Sequence, residues 1–241
     1  MRKYLIAGNW KMNSAPGGAF DPGSPYQAHA DIDVVVFPTY LDLERCIKAK
    51  IISGPQFGHI EEHGAHTGDI SLKMCKDLGS IYCLCGHSDR RGEHSETSEE
   101  VAAQVTAALE YGLHPIVCIG ETLEQKQAGK TEEVLKEMMA PLPLESDITI
   151  AYEPVWAISR GDPDTPAATP DDAQNMHALI RSLLPKDRRS VTRILYGGSM
   201  KPDNAEALLS QPDIDGGLVG GASLKPEAFQ EIVDAASKLT K

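Results

Sequence analysis

The chain has 241 residues and a formal net charge of -12, with 41% hydrophobic and 24% charged residues, values that suit a globular protein with a sizeable core. The acidic balance excludes a general nucleic-acid binder, because a polyanion would be repelled over most of the surface. Apolar runs such as Val34 to Phe37 fall far short of the ~20 residues of a membrane span. Gly8, Asn9 and Lys11 interrupt the apolar stretch behind the basic N-terminus, so no secretory signal is expected.

In chain order, apolar and β-branched runs occur at 5–7, 33–37, 51–54, 81–85, 116–119, 148–152, 193–196 and 217–219. They lack strict polar alternation, as parallel strands covered on both faces do. The interval after the first run, from Ser14 to Tyr26, holds three prolines and three glycines. Their helix-interior costs of about 3 and 1 kcal/mol predict an irregular loop there, leaving one flank without helical cover. Phe20, Tyr26 or another subunit would then have to shield the neighbouring helices. Later intervals read as helices. Thr97 with Glu100 forms a capping-box pattern before Val101, Val105, Ala108 and Leu109, and Gly112 stops the run. Thr169-Pro170 and Lys225-Pro226 open two more helices. Eight strand–crossover repeats without a linker predict one domain over 1–241 and favour a closed parallel (β/α)₈ barrel, of the usual length of about 250 residues, over an open doubly wound sheet, a choice that periodicity alone does not settle.

Five cysteines, Cys46, Cys75, Cys83, Cys85 and Cys118, form no disulfide-like framework. Cys83 and Cys85 share one face of a strand, as half a metal site would, but buried thiols in reducing cytosol are the simpler reading.

Chemistry-bearing residues gather just after the candidate strands, where a barrel places its active-site loops. Lys11 follows the first, His87 the fourth and Glu153 the sixth, while Gly197-Gly198 and Gly220-Gly221 follow the seventh and eighth. Paired glycines let backbone N–H groups approach an anion closely. Neither a Walker loop nor a dinucleotide fingerprint has its required spacing here. Singly, Glu153 reads as a surface carboxylate, His87 as a core histidine and Lys11 as a solvated charge. Their joint occurrence at successive strand ends is what a bland reading does not explain.

The stretches Asn9-Trp-Lys-Met-Asn13, Gly86-His-Ser88, Cys118-Ile-Gly-Glu-Thr-Leu123, Ala151-Tyr-Glu-Pro-Val-Trp-Ala-Ile158, Tyr196-Gly-Gly-Ser199 and Gly217 to Leu224 resemble the triosephosphate isomerase family over nearly the whole chain except residues 14 to 32. The resemblance implies interconversion of dihydroxyacetone phosphate and D-glyceraldehyde 3-phosphate through an enediolate, in the glycolysis and gluconeogenesis of the cytoplasm. It assigns Glu153 as base, His87 as neutral electrophile, Lys11 as fixed positive charge and Asn9 as a substrate-orienting group. Backbone N–H groups of Ser159, Ser199, Gly220 and Gly221 would hold the phosphate, a lid would begin at Pro154, and neither metal nor organic cofactor is implied. Glu121 and Glu96 match structural carboxylates of the family. A homodimer through the loop 56–69, with Gln56 and Asp69 at its ends and Thr67 at its tip, is likewise implied.

Three departures stand out. Ser159-Arg160-Gly161-Asp162 replaces the family's Gly-Thr-Gly-Lys, and about four residues are added before Thr169. Asp89 replaces a glutamate and is one methylene shorter, which leaves its reach to Lys11 open. In the loop 56–69, Phe57 and His66 replace an expected asparagine and phenylalanine. His59, His63 and His66 lack a carboxylate or cysteine at a fitting spacing, so a loop of solvated histidines is expected rather than a metal site. Rival readings are a phosphate-binding barrel isomerase for a larger sugar phosphate and a non-catalytic binding barrel.

Overall fold

A computed structural model describes residues 2–158 and 168–240. Seven parallel strands form one sheet: β1 (Leu5–Asn9), β2 (Asp33–Phe37), β3 (Tyr82–Cys85), β4 (His114–Ile119), β5 (Thr149–Tyr152), β6 (Ile194–Tyr196) and β7 (Gly216–Val219). Their order is β2-β1-β7-β6-β5-β4-β3. β1 pairs with both β2 and β7, with Leu5 opposite Asp33 on one side and Gly216 on the other.

The eighth expected strand, 51–54, is not a regular strand, and this corrects the sequence reading. It nonetheless completes the ring. The N–H of Val36 donates to Ile52 O and that of Gly54 to Val36 O, while Ile81 N–H and Leu84 N–H donate to Ser53 O and Pro55 O. Pro55 has no N–H to extend the ladder. At Gly54 a Cβ would stand 1.8 Å from the Tyr82 carbonyl oxygen, so the two backbones approach here more closely than any side chain would allow.

Alternation along each strand sorts side chains to two sides. Leu5, Ala7, Val35, Phe37, Leu84, Ile116, Cys118, Ala151, Leu195 and Leu218 fill the barrel interior. The intervening residues, such as Ile6, Val34 and Val36, pack outward against helices. Among the described residues these helices are α1 (Tyr40–Lys48), α2 (Leu72–Leu78), α3 (Ser88–Glu93), α4 (Ser98–Glu110), α5 (Leu123–Gln127), α6 (Thr131–Met139), α7 (Pro170–Leu183), α8 (Pro202–Leu209) and α9 (Pro226–Leu239). The Thr97–Glu100 capping box closes α4 and the Thr169 hydroxyl caps α7, as their sequences predict. None of the helices is long and apolar enough to cross a membrane.

No helix forms between β1 and β2, in agreement with the proline and glycine content. The uncovered flank is sealed by aromatic rings instead. Tyr26 is fully buried, stacks on Phe229 of α9 at 5.0 Å and meets Trp10 edge-on at 5.3 Å. Phe20 lies edge-on to Trp10 under the Arg45 guanidinium, and Asp42 of α1 accepts the Ala15 N–H at 2.9 Å. All five cysteines are free and buried, with 3.7 Å between the Cys83 and Cys85 sulfurs.

Candidate active site

The C-terminal ends of the strands open into a cavity of about 760 Å³ lined by Asn9, Lys11, His87, Glu153, Ser199 and Gly220 among others. Glu153 directly follows β5 and is buried there. Its Oε1 lies 3.0 Å from His87 Nε2, and its Oε2 accepts the Ser88 N–H at 2.9 Å. His87 caps α3 through its side chain: Nδ1 accepts the Asp89 N–H at 3.0 Å. A ring nitrogen that accepts a hydrogen bond carries no proton, so a neutral imidazole here bears its proton on Nε2, facing Glu153.

Burial by itself would raise the pKa of Glu153. The His87 ring beside it, the Ser88 N–H and the Lys11 charge outweigh that effect and hold the carboxyl below the usual glutamate range. Beneath it, burial and then the neighbouring carboxylate push the Cys118 thiol well up, so it stays protonated.

Lys11 sits in a left-handed backbone conformation, with φ of 50°. Two contacts hold it there: its N–H donates to Asn9 Oδ1 at 2.9 Å, and the Gln56 carboxamide donates to its carbonyl at 2.7 Å. Asp89 Oδ2 reaches Lys11 Nζ at 2.8 Å, so the shorter acid does span the gap to the lysine. Gln56 is a supporting residue that sequence reasoning missed. Nothing in its local pattern marks it, because the contact exists only once the third crossover folds over the first strand end.

Behind the base, Glu121 accepts hydrogen bonds from the Tyr152 hydroxyl at 3.1 Å and from Trp156 Nε1 at 2.7 Å. It thereby ties the segment after Glu153 to the end of β4. Glu96 pairs with Arg90 of α3. These are contacts within the scaffold, consistent with the structural part that the resemblance implies for both carboxylates.

Of the expected phosphate donors, Gly220 and Gly221 line the cavity, and a Cβ at Gly220 would stand 3.7 Å from Lys11 Cε. Ser199 also lines it, but its N–H donates to the Ala157 carbonyl at 3.0 Å and is committed there. Ser159 and the lid expected over 159–166 lie outside the described residues.

The histidine loop also departs from expectation. His59 and His66 stack at 4.1 Å, and carboxylates do reach them: Asp69 at 3.9 Å from His59 and Glu61 at 3.2 Å from His66. Ligand atoms of His59, His66 and Asp69 lie within 4.8 Å of one another. However, His59 Nδ1 accepts the Glu61 N–H at 3.1 Å, which places the neutral ring's proton on Nε2, the nitrogen that faces Asp69. His59 Nδ1 is thus committed to the loop backbone, and its Nε2 stands too far from Asp69 for a hydrogen bond.

A carboxylate, an imidazole and an ammonium converging at the C-terminal mouth of a closed parallel barrel define an acid–base enzyme of the (β/α)₈ class. The family model described as Triosephosphate isomerase matches residues 4–236. Proteins named triosephosphate isomerase from Xanthomonas campestris pv. campestris (strain 8004) and Paracidovorax citrulli (strain AAC00-1) are 46% and 43% identical to the chain, each alignment covering 98% of it and 99% of the relative. One from Magnetococcus marinus is 43% identical over 97% of the chain and 98% of that protein. The chain belongs to the triosephosphate isomerase family.

Proposed function

We propose that the protein interconverts dihydroxyacetone phosphate and D-glyceraldehyde 3-phosphate, an intramolecular aldose–ketose isomerisation serving glycolysis and gluconeogenesis in the cytoplasm. The observation that carries this reading is the Glu153–His87 contact of 3.0 Å at the barrel mouth, with Lys11 on the same cavity wall.

Glu153 removes a proton from the carbon beside the substrate carbonyl and returns it to the neighbouring carbon. The His87 Nε2–H and the Lys11 ammonium stabilise the enediolate oxygens, and Asn9 orients the substrate. This division of roles is the one established for triosephosphate isomerases. Substrate oxygens binding at His87 Nε2 displace the Glu153 carboxylate from it. Losing the contacts that hold its pKa down leaves burial dominant, so the base strengthens as it meets its substrate. The Gly220 and Gly221 amides hold the phosphate, and Ser199 joins them only when its bond to Ala157 is exchanged.

A homodimer through the loop 56–69 belongs to the same reading. Met12 and Leu41, 93% and 90% exposed, support it. Hydrogen bonds Gln56–Lys11 and Tyr40–Phe57 hold their segments beside that loop, which gathers an apolar patch around it. Five free, buried cysteines fit a reducing compartment.

The decisive experiment is a coupled assay with glyceraldehyde 3-phosphate on wild type and Glu153→Gln, with light scattering on the same samples. Turnover should fall by about 10²- to 10⁴-fold in the variant. Ordinary activity in Glu153→Gln would sink the mechanism, and a mass of 26.0 kDa rather than twice that would sink the dimer.

A further inference from the structure

The first crossover of this chain has no helix, yet it reaches the phosphate turn at the far end of the sequence. The Tyr26 hydroxyl donates to the Ser223 carbonyl at 2.8 Å, a buried bond between residues 197 positions apart. Ser223 belongs to the 3₁₀ turn Gly221–Leu224 that follows Gly220. Within that turn Ser223 N–H donates to Gly220 O at 2.8 Å, and Ser223 Oγ lies 2.7 Å from the same oxygen and 3.3 Å from Asn9 O. The turn is thus closed on itself, while Tyr26 fixes where it sits relative to β1.

The Tyr26 ring has no freedom to follow a moving turn. Phe229 stacks on it with only 19° between planes, and Trp10, next to Asn9 and Lys11, abuts it at 87°. Burial, with Glu227 adding to it, pushes the Tyr26 hydroxyl well above its ordinary pKa, so it remains a donor throughout the working range.

We propose that Tyr26 is a positioning residue for phosphate recognition, holding the Gly220-Gly221 amides in register with Lys11 through the Ser223 carbonyl. This rests on the reading that those amides bind the substrate phosphate.

The test is Tyr26→Phe, which keeps both ring contacts and removes only the hydroxyl. The measurements are kcat and KM for the triose phosphate and the inhibition constant of inorganic phosphate. A lost hydrogen bond of ordinary strength predicts a rise of about 3- to 10-fold in KM and in the phosphate constant. The change in kcat should be smaller. The inhibition constant does not depend on the folded fraction, so partial unfolding cannot imitate the effect. Val105→Ala, which lightens the core behind α4, should lower stability and leave both constants unchanged. Phosphate that competes equally well in wild type and Tyr26→Phe overturns the positioning role. Phosphate that fails to compete even in wild type overturns the phosphate reading itself, and this proposal with it.

Discussion

His177 offers a quantitative test of how the strand ends are built. It lies on α7, fully buried, between the rings of Tyr152 and Tyr196 at 5.9 and 6.4 Å, with Nδ1 3.3 Å from the Asp213 carbonyl oxygen. Those tyrosines immediately precede Glu153 and Gly197. Desolvation by this burial lowers the pKa of His177 to about 3, whereas the unfolded chain titrates near the ordinary 6.5. The folded state therefore refuses a proton that the unfolded state accepts. Stability from this group is complete above pH 6.5 and is lost as pH falls toward 3. Between pH 7 and pH 5 the loss is about 2 kcal/mol. Urea unfolding at fixed protein concentration across that range measures it. His177→Phe keeps an aromatic ring in the slot and removes the titration, while every other group contributes equally to both proteins. Wild type should lose about 2 kcal/mol more than the variant between the two pH values. Parallel pH dependences in the two proteins would refute the reasoning.

Two substitutions probe the close packing around the base. At Gly197 a Cβ would stand 2.7 Å from Glu153 Cγ, so Gly197→Ala displaces the carboxylate. Its kcat should fall by about 10²-fold in the coupled assay, and a normal kcat would show that the base has room to spare. At Gly120 a Cβ would stand 1.8 Å from the Glu153 carbonyl oxygen, forcing the ends of β4 and β5 apart. Gly120→Ala should lose about 3 kcal/mol or more in urea unfolding, and an unchanged midpoint would contradict the described backbone approach.

Much of the molecule was legible before folding because the relevant physics is local. Proline and glycine between Ser14 and Tyr26 ruled out a first helix, and none formed there. The capping box at Thr97 and the prolines at 170 and 226 marked helix starts that the structure keeps. The Lys11, His87 and Glu153 segments stood at strand ends in chain order, and barrel topology brings strand ends to one mouth. The run 51–54 takes the eighth place in the ring through a parallel bridge from Ser53 to Val36 rather than as a regular strand, and Pro55 supplies no N–H to extend it.

What the chain could not announce are the contacts between segments distant in sequence. That Asp89 reaches Lys11 follows from how α3 sits over the end of β1, not from side-chain length. Gln56 beneath Lys11, Ala157 on the Ser199 amide and Tyr26 under Ser223 follow the same rule. Residue types and their order are written in local propensity and spacing. A hydrogen bond of 2.8 Å between positions 26 and 223 depends on the closure of the whole barrel, and only the tertiary structure sets it.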